Sequence, residues 1–296
     1  MIRSLLAGAI DYAGLFPPAA LPMAEAARNY AAYRSGTDAW ALGRFVVPTS
    51  RLAELAAAAE LLVGERGGPW PLSALVAGDG AGDLATIDAF NARYASRTDG
   101  WAGVVDMIEA RADDVAAATA LASRIPKGLP AFVEVPVASD PVPLLEVLAR
   151  HGLAAKLRTG GTTPAQFPAP EQVARFLRAC DRIDLPFKAT AGLHHPLRAE
   201  YPLTYEPASA RGTMYGFLNV LLAAALVGVG GTDDDVIALL EERDPQAIEI
   251  GRDAIAWRGH RFTAASLAGM RTRFALSFGS CSFEEPLADL RSLGLL

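Results

Sequence analysis

Two periodicities alternate along the chain. Short apolar stretches, rich in β-branched residues, recur at 8–14, 43–49, 72–78, 103–109, 130–137, 154–160, 186–192 and 274–280. Between them lie longer Ala- and Leu-rich stretches with apolar positions three or four apart, clearest at 50–62, 112–125, 141–152 and 170–183. The first set reads as buried strands and the second as amphipathic helices. Eight strands, each followed by a helical run, predict an α/β fold: a parallel (β/α)8 barrel of the TIM type. An open, doubly wound sheet is the competing arrangement. No GxGxxG follows an early strand, which counts against it.

The spacing breaks once. The connection between the seventh and eighth strands, 193–273, is far longer than the others. It opens with the most apolar stretch of the chain, 216–231, which is short for a membrane span and contains Asn219. A buried helix is the preferred reading. Thr232 or Asp233 then suits the cap of a second helix. Loops that leave the C-terminal ends of barrel strands build active sites, so the region reads either as a lid or specificity element, or as extra packing or a subunit contact.

The chain has 296 residues, 51% of them hydrophobic, which is enough for one large core, and a single barrel domain over 1–296 is expected. A net charge of −6 without a basic stripe argues against a nucleic-acid partner. Cys180 and Cys281 make no disulfide framework, which makes a reducing cytoplasm the default compartment. Asp11 interrupts an N-terminal stretch that otherwise begins like a signal sequence. No membrane association is expected.

Of 27 basic residues only Lys127, Lys156 and Lys188 are lysines. Two of these share one context, a short apolar run ending in Gly: "AAKLRTGG" and "PFKATAGLHHP". Lysine differs from arginine in that it can lose its proton when desolvated and act as a nucleophile. Side chains alternate along a strand, so Lys156 and Arg158 share a face on strand six, as do Lys188, Thr190 and Gly192 on strand seven. Glu134 lies on strand five and Asp106 on strand four. If these face inward, they form either an ion-pair network or an active site, since a charge in a barrel interior needs a partner or a role. Bringing a lysine from its usual pKa to about 7 takes roughly 4–5 kcal/mol. A second ammonium about 6 Å away would supply roughly 2.8 kcal/mol of that at an effective dielectric near 20.

Other chemistry is thinner. Adjacent His194 and His195 point to opposite sides of an extended chain, and there is no HxH or HExxH, so a metal site is not expected. His194 reads as a substrate contact and His195 as a local one. Cys281 has no adjacent histidine in sequence and reads as a buried small residue. The Gly160-Gly161 and Gly279-Ser280 turns either present amides to an anion or simply tighten strand-to-helix turns.

Taken in order, these motifs resemble the deoxyribose-phosphate aldolase family of Schiff-base aldolases. Lys156-Leu157-Arg158-Thr159-Gly160 fits the family's K-x-x-T-G. Lys188 to Leu193, "KATAGL", is similar to its second lysine segment. Asp106-Met107-Ile108 resembles the strand-four segment, Ile10 to Leu15 the early "IDHT-L" segment, and Gly279 to Ser282 the late phosphate turn. Glu134 is similar to the strand-five carboxylate. The resemblance implies a (β/α)8 barrel, a Schiff base at Lys156, a pKa-perturbing Lys188, proton transfer helped by Asp106, and Asp11 in the same polar network. Glu134, Arg158, Thr159, Gly160, Gly161, Gly192, His194, Gly279 and Ser280 are expected to contact substrate, Arg158 by a two-pronged hold on a carboxylate and Gly160, Gly161, Gly279 and Ser280 by N–H donors to a second anionic group, a phosphate. The departures are Arg158 in place of the usual serine, His194 after the strand-seven glycine, the long 193–273 region and a C-terminus without tyrosine. The expected activity is therefore a lysine-imine lyase acting on a small phosphorylated or carboxylated carbonyl compound. It calls for no metal or organic cofactor and is compatible with a homo-oligomer. A hydrolase or isomerase using Glu134 and His194, or a non-catalytic anion-binding barrel, are the rivals.

Overall fold

A computed structural model describes residues 1–62, 68–78 and 80–296. Eight parallel strands close a barrel in the order β1-β13-β7-β6-β5-β4-β3-β2. The strands are β1 (Ile10–Tyr12), β2 (Leu42–Pro48), β3 (Trp70–Leu75), β4 (Gly103–Arg111), β5 (Ala131–Glu134), β6 (Ala154–Arg158), β7 (Phe187–Thr190) and β13 (Ala275–Ser280). Each falls on one of the eight stretches expected from the sequence. Helices follow them on the outside, among them α3 (Leu52–Glu60), α5 (Val115–Arg124), α6 (Val142–Arg150) and α7 (Pro170–Arg182).

Apolar residues of the strands' outer face, such as Phe45, Ile108, Val133, Leu157 and Phe278, join the helices in the main core. The inner face carries a second, small cluster of Met107, Phe132 and Ala154, with Leu276 packed against it. Met107, Phe132 and Ala154 each stand two residues before an acidic or basic residue (Glu109, Glu134 and Lys156), one layer lower on the same face. The barrel interior is thus an apolar floor under a charged layer.

Register irregularities set which residues reach that layer. Leu72 pairs with Val105, but Ser73 pairs with Met107, so Asp106 is an extra residue in β4. The bulge shifts the alternation by one and turns Glu109 inward, leaving Ile108 in the outer core. A similar irregularity in β2 opposes Ile10 and Tyr12 to Leu42 and Phe45. Gly43 sits there because a Cβ would collide with Asp11 Oδ1.

The long 193–273 connection divides into three parts. A hairpin of β8 (Ala199–Pro202) and β9 (Arg211–Met214) comes first. Next comes α8 (Phe217–Gly228), buried from Phe217 to Val227. Asn219 survives in this helix because its amide donates to the carbonyls of Leu239 and Glu242, at 2.8 and 2.9 Å, and its oxygen accepts from Arg198 N. Thr232 caps α9 (Asp233–Leu240). Last, β10 (Ile248–Ile250), β11 (Ala254–Trp257) and β12 (His260–Thr263) form a separate antiparallel sheet before α10 (Ala264–Arg273). No helix among the described residues is long and apolar enough to cross a membrane.

Candidate active site at the barrel mouth

Lys156 and Lys188 are direct partners in the β6–β7 ladder. Both side chains enter the interior, and both residues are buried, Lys156 at 6% and Lys188 at 0% exposure. Glu109 lies between them, with Oε2 at 3.1 Å from Lys156 Nζ and Oε1 at 2.6 Å from Lys188 Nζ. Lys188 also binds Asp11 Oδ2 at 2.6 Å, and Lys156 binds Glu134 Oε2 at 3.2 Å. The second oxygen of Glu134 accepts from Arg158 Nε at 2.9 Å. Three cations and three carboxylates therefore alternate along one chain: Asp11, Lys188, Glu109, Lys156, Glu134, Arg158.

The chain is completed by neutral donors. Ser277 Oγ donates to Asp11 at 2.7 Å and Ser73 Oγ to Glu109 at 2.9 Å. The Arg44 amide donates to Asp11 Oδ1 at 2.8 Å. Lys188 Nζ also lies 5.8 Å from the centre of the Phe132 ring in the floor below. None of the six charged side chains appears among the buried atoms left without a hydrogen-bond partner.

Burial on its own would favour neutral forms throughout. For Lys188 it is outweighed by Asp11 and Glu109, which hold the amine above the ordinary lysine value. Burial of Glu109 is likewise outweighed, by Lys188 and Lys156, and its carboxyl is held down to about 2. Glu134 lies below its ordinary value because Lys156 and Arg158 overcome its burial. Lys188 thus meets Lys156 through a shared carboxylate, not as a bare neighbouring cation. The carboxylate between them offsets the lysine-to-lysine repulsion considered above.

The charged chain opens upward into a cavity of about 310 Å³ at the C-terminal ends of the strands. Glu109, Lys156 and Arg158 line it, while Lys188 and Asp11 lie beneath. Its walls are mixed: Phe16, Pro17, Val46, Leu75, Leu203 and Met214 are apolar, and Thr162, Gln166 and Thr190 are polar but uncharged. Leu203 and Met214 come from the β8–β9 hairpin region, so this part of the long connection covers the mouth, while α8, α9 and the outer sheet do not line it. Glu134 and Arg158 also face a second depression beside the first.

The remaining expected residues take distinct places. Gly161, Gly192, His194 and Gly279 line the cavity. Thr159 is buried and pins the turn after β7, donating to Ala191 O at 2.6 Å. That turn needs pinning, since Ala191 (φ 63°) and Gly192 (φ 75°) are both left-handed. The Phe167 ring packs on Gly160. Ser280 Oγ lies 3.3 Å from His194 Nδ1.

Asp106 does not reach the lysines. It forms a two-pronged pair with Arg44, Oδ1 to Nε at 2.7 Å and Oδ2 to Nη2 at 3.0 Å. The strand-four carboxylate of the network is Glu109, together with Ser73 and Ser277, none of which was singled out from the sequence. Glu109 closes the same apolar stretch, 103–109, that holds Asp106; two acids three apart on a strand point to opposite faces unless a bulge intervenes.

Nor is Cys281 without a histidine. Its sulfur lies 3.7 Å from His194 Nδ1 and 3.7 Å from the Tyr205 hydroxyl, which donates to Glu285 at 3.1 Å. Burial, with His195 adding, holds His194 down to about 4, and burial pushes the Cys281 thiol up to about 11. The pair is neutral, the opposite of a thiolate–imidazolium couple. Among the described residues no cluster of three His, Cys, Asp or Glu side chains has the geometry to hold a metal ion.

Comparison of the chain with protein-family models, curated proteins and solved structures finds no match.

Proposed function

We propose that this barrel is a class I aldolase-like lyase that forms an imine between Lys156 and a small anionic carbonyl compound. One observation carries the reading: of two buried lysines in register, Lys156 alone lines the cavity, and it does so between two carboxylates. The order of motifs shared with deoxyribose-phosphate aldolases supports it, with Glu109 taking the place given to Asp106.

The charge balance suits this chemistry. An ammonium and a carbonyl give a protonated imine and water, R–NH3+ + O=CR2 → R–NH+=CR2 + H2O. The positive charge is conserved and stays on the same nitrogen. Glu109 and Glu134 therefore remain paired before and after condensation. Either can take the ammonium proton as the amine attacks and return it to the departing hydroxyl, because each lies within hydrogen-bond reach of Nζ. The imine then draws the electrons of the breaking carbon–carbon bond into a neutral enamine. Lys188 holds Glu109 ionised and does not itself meet substrate.

Borohydride reduction in the presence of a panel of aldehydes and ketones tests the reading. A stable mass adduct is expected on the peptide carrying Lys156, and it should vanish in Lys156→Arg. If no carbonyl compound leaves an adduct, or the adduct maps elsewhere, the imine is rejected and a binding barrel becomes the better description.

A further inference from the structure

We propose that the cavity selects a carboxylated carbonyl compound of the 2-oxo acid class, with an uncharged far end, and rejects phosphate esters. This rests on the imine reading only for the position of the carbonyl carbon.

The cations decide the anion. Among the described lining residues the only basic side chains besides His194 are Lys156 and Arg158. Lys156 already contacts two carboxylates, whereas Arg158 contacts one, through Nε, while its Nη1 donates to Gly160 O at 3.4 Å, and its side chain is 45% exposed. The Nη2 group of Arg158 has no protein partner among the described residues. A single, half-committed guanidinium matches a carboxylate of charge −1; a phosphate monoester carries about −1.5 to −2 at neutral pH. Position agrees with charge. Arg158 and Lys156 hold the two oxygens of one carboxylate, Glu134. Ammonium and guanidinium are thus close enough that a carboxylate held by Arg158 would be attached at, or next to, the carbonyl carbon.

Other groups on the two turns that could cradle a phosphate weigh against one. After β6, the amides of Thr162 and Thr163 both donate to Gln166 Oε1, at 2.8 and 3.0 Å. After β13, where barrels commonly bind phosphate, the groups present are neutral or acidic: His194, Cys281, Tyr205 and Glu285. The helix that starts there, α11 (Glu284–Ser292), places Glu284 and Glu285 in its first turn. A phosphate would meet carboxylates there; a hydroxyl would find both donors and acceptors. Between the two ends the wall mixes apolar side chains with the uncharged Thr190 and Gln166, so the middle of the substrate carries no charge.

The test is calorimetric titration of the full chain with pyruvate, inorganic phosphate and glycolaldehyde phosphate, each repeated after borohydride reduction. Wild type should bind pyruvate saturably and neither phosphate compound. Arg158→Leu should weaken pyruvate about tenfold or more, and Arg158→Lys, which keeps the charge and the fold but not the two-pronged geometry, by less. Tighter binding of either phosphate compound than of pyruvate overturns the proposal. So does pyruvate binding that ignores both Arg158 variants, and so does an absence of pyruvate binding. Arg158-dependent pyruvate binding without a reduced adduct would reject the imine and leave the substrate class standing. An adduct with glycolaldehyde phosphate alone would do the reverse.

Discussion

Lys188 is the most demanding side chain in the molecule. It is fully buried, and its charge exists to balance Asp11 and Glu109. Lys188→Met removes the cation and leaves two buried carboxylates facing each other, so unfolding in urea should show a loss of about 3–5 kcal/mol. A loss below about 1 kcal/mol would mean that water reaches this layer. A second pair of substitutions separates the two acids of β4. Glu109→Gln should suppress adduct formation at Lys156, because Glu109 touches Nζ. Asp106→Asn should leave it nearly intact, because Asp106 touches Arg44. Equal suppression by both would show that Arg44 relays Asp106 to Asp11 through its amide. The lysines were legible in the sequence because they are rare and share a context. Glu109 was not, because one extra residue reverses the face on which it lies, and nothing in "GVVDMIE" announces a bulge. The contact of His194 with Cys281 joins residues 87 apart in sequence, which only closure of the barrel brings together.

At the level of elements, all eight barrel strands could be read from apolar runs, since a strand buried on both faces has few polar positions. The long connection could not be divided in the same way. Its strands are three or four residues long, too short to show a period, and only the buried α8 and the Thr232-capped α9 stood out. The hairpin of β8 and β9 reaches the mouth through Leu203 and Met214, which no local pattern marks. The start of β2 shows how a backbone detail serves the charged layer. Gly43 leaves room for Asp11, so Gly43→Ala should displace that carboxylate and loosen its hold on Lys188. The variant is expected to lose about 1–3 kcal/mol, as overpacked sites do, and Gly43→Ala combined with Asp11→Ala should lose less than the sum. Strict additivity in that cycle would place the cost outside the Asp11 contact.

For the whole molecule, the buried titrating groups set a window of pH. His194 is held down to about 4 and Glu109 to about 2, both below their unfolded values. The unfolded chain therefore binds more protons in acid, and stability falls as pH drops through these ranges, first for His194 and then for Glu109. Lys188 lies above its ordinary value, so its contribution is full below about 10.4 and is lost as pH rises beyond it. Urea midpoints should be flat only between about pH 7 and 8 and decline on both sides, the alkaline decline starting near 9 because burial holds the Cys180 and Cys281 thiols above their ordinary values. In His194→Gln the decline between pH 6.5 and about 4 should shrink; an unchanged slope would assign that region to other groups.

The strict alternation of three positive and three negative groups has one more consequence. Equal and opposite charges packed this closely cancel within a few ångströms, so the site projects almost no field into solvent. An approaching anion senses instead the surface of a chain whose net charge is −6. Nothing steers it inward, and the weak repulsion it meets is screened by salt. Arrival should accordingly quicken slightly as ionic strength rises, the reverse of an enzyme that attracts its substrate from a distance. Discrimination begins only once the ligand is inside, at contact range, which suits an abundant metabolite better than a scarce one.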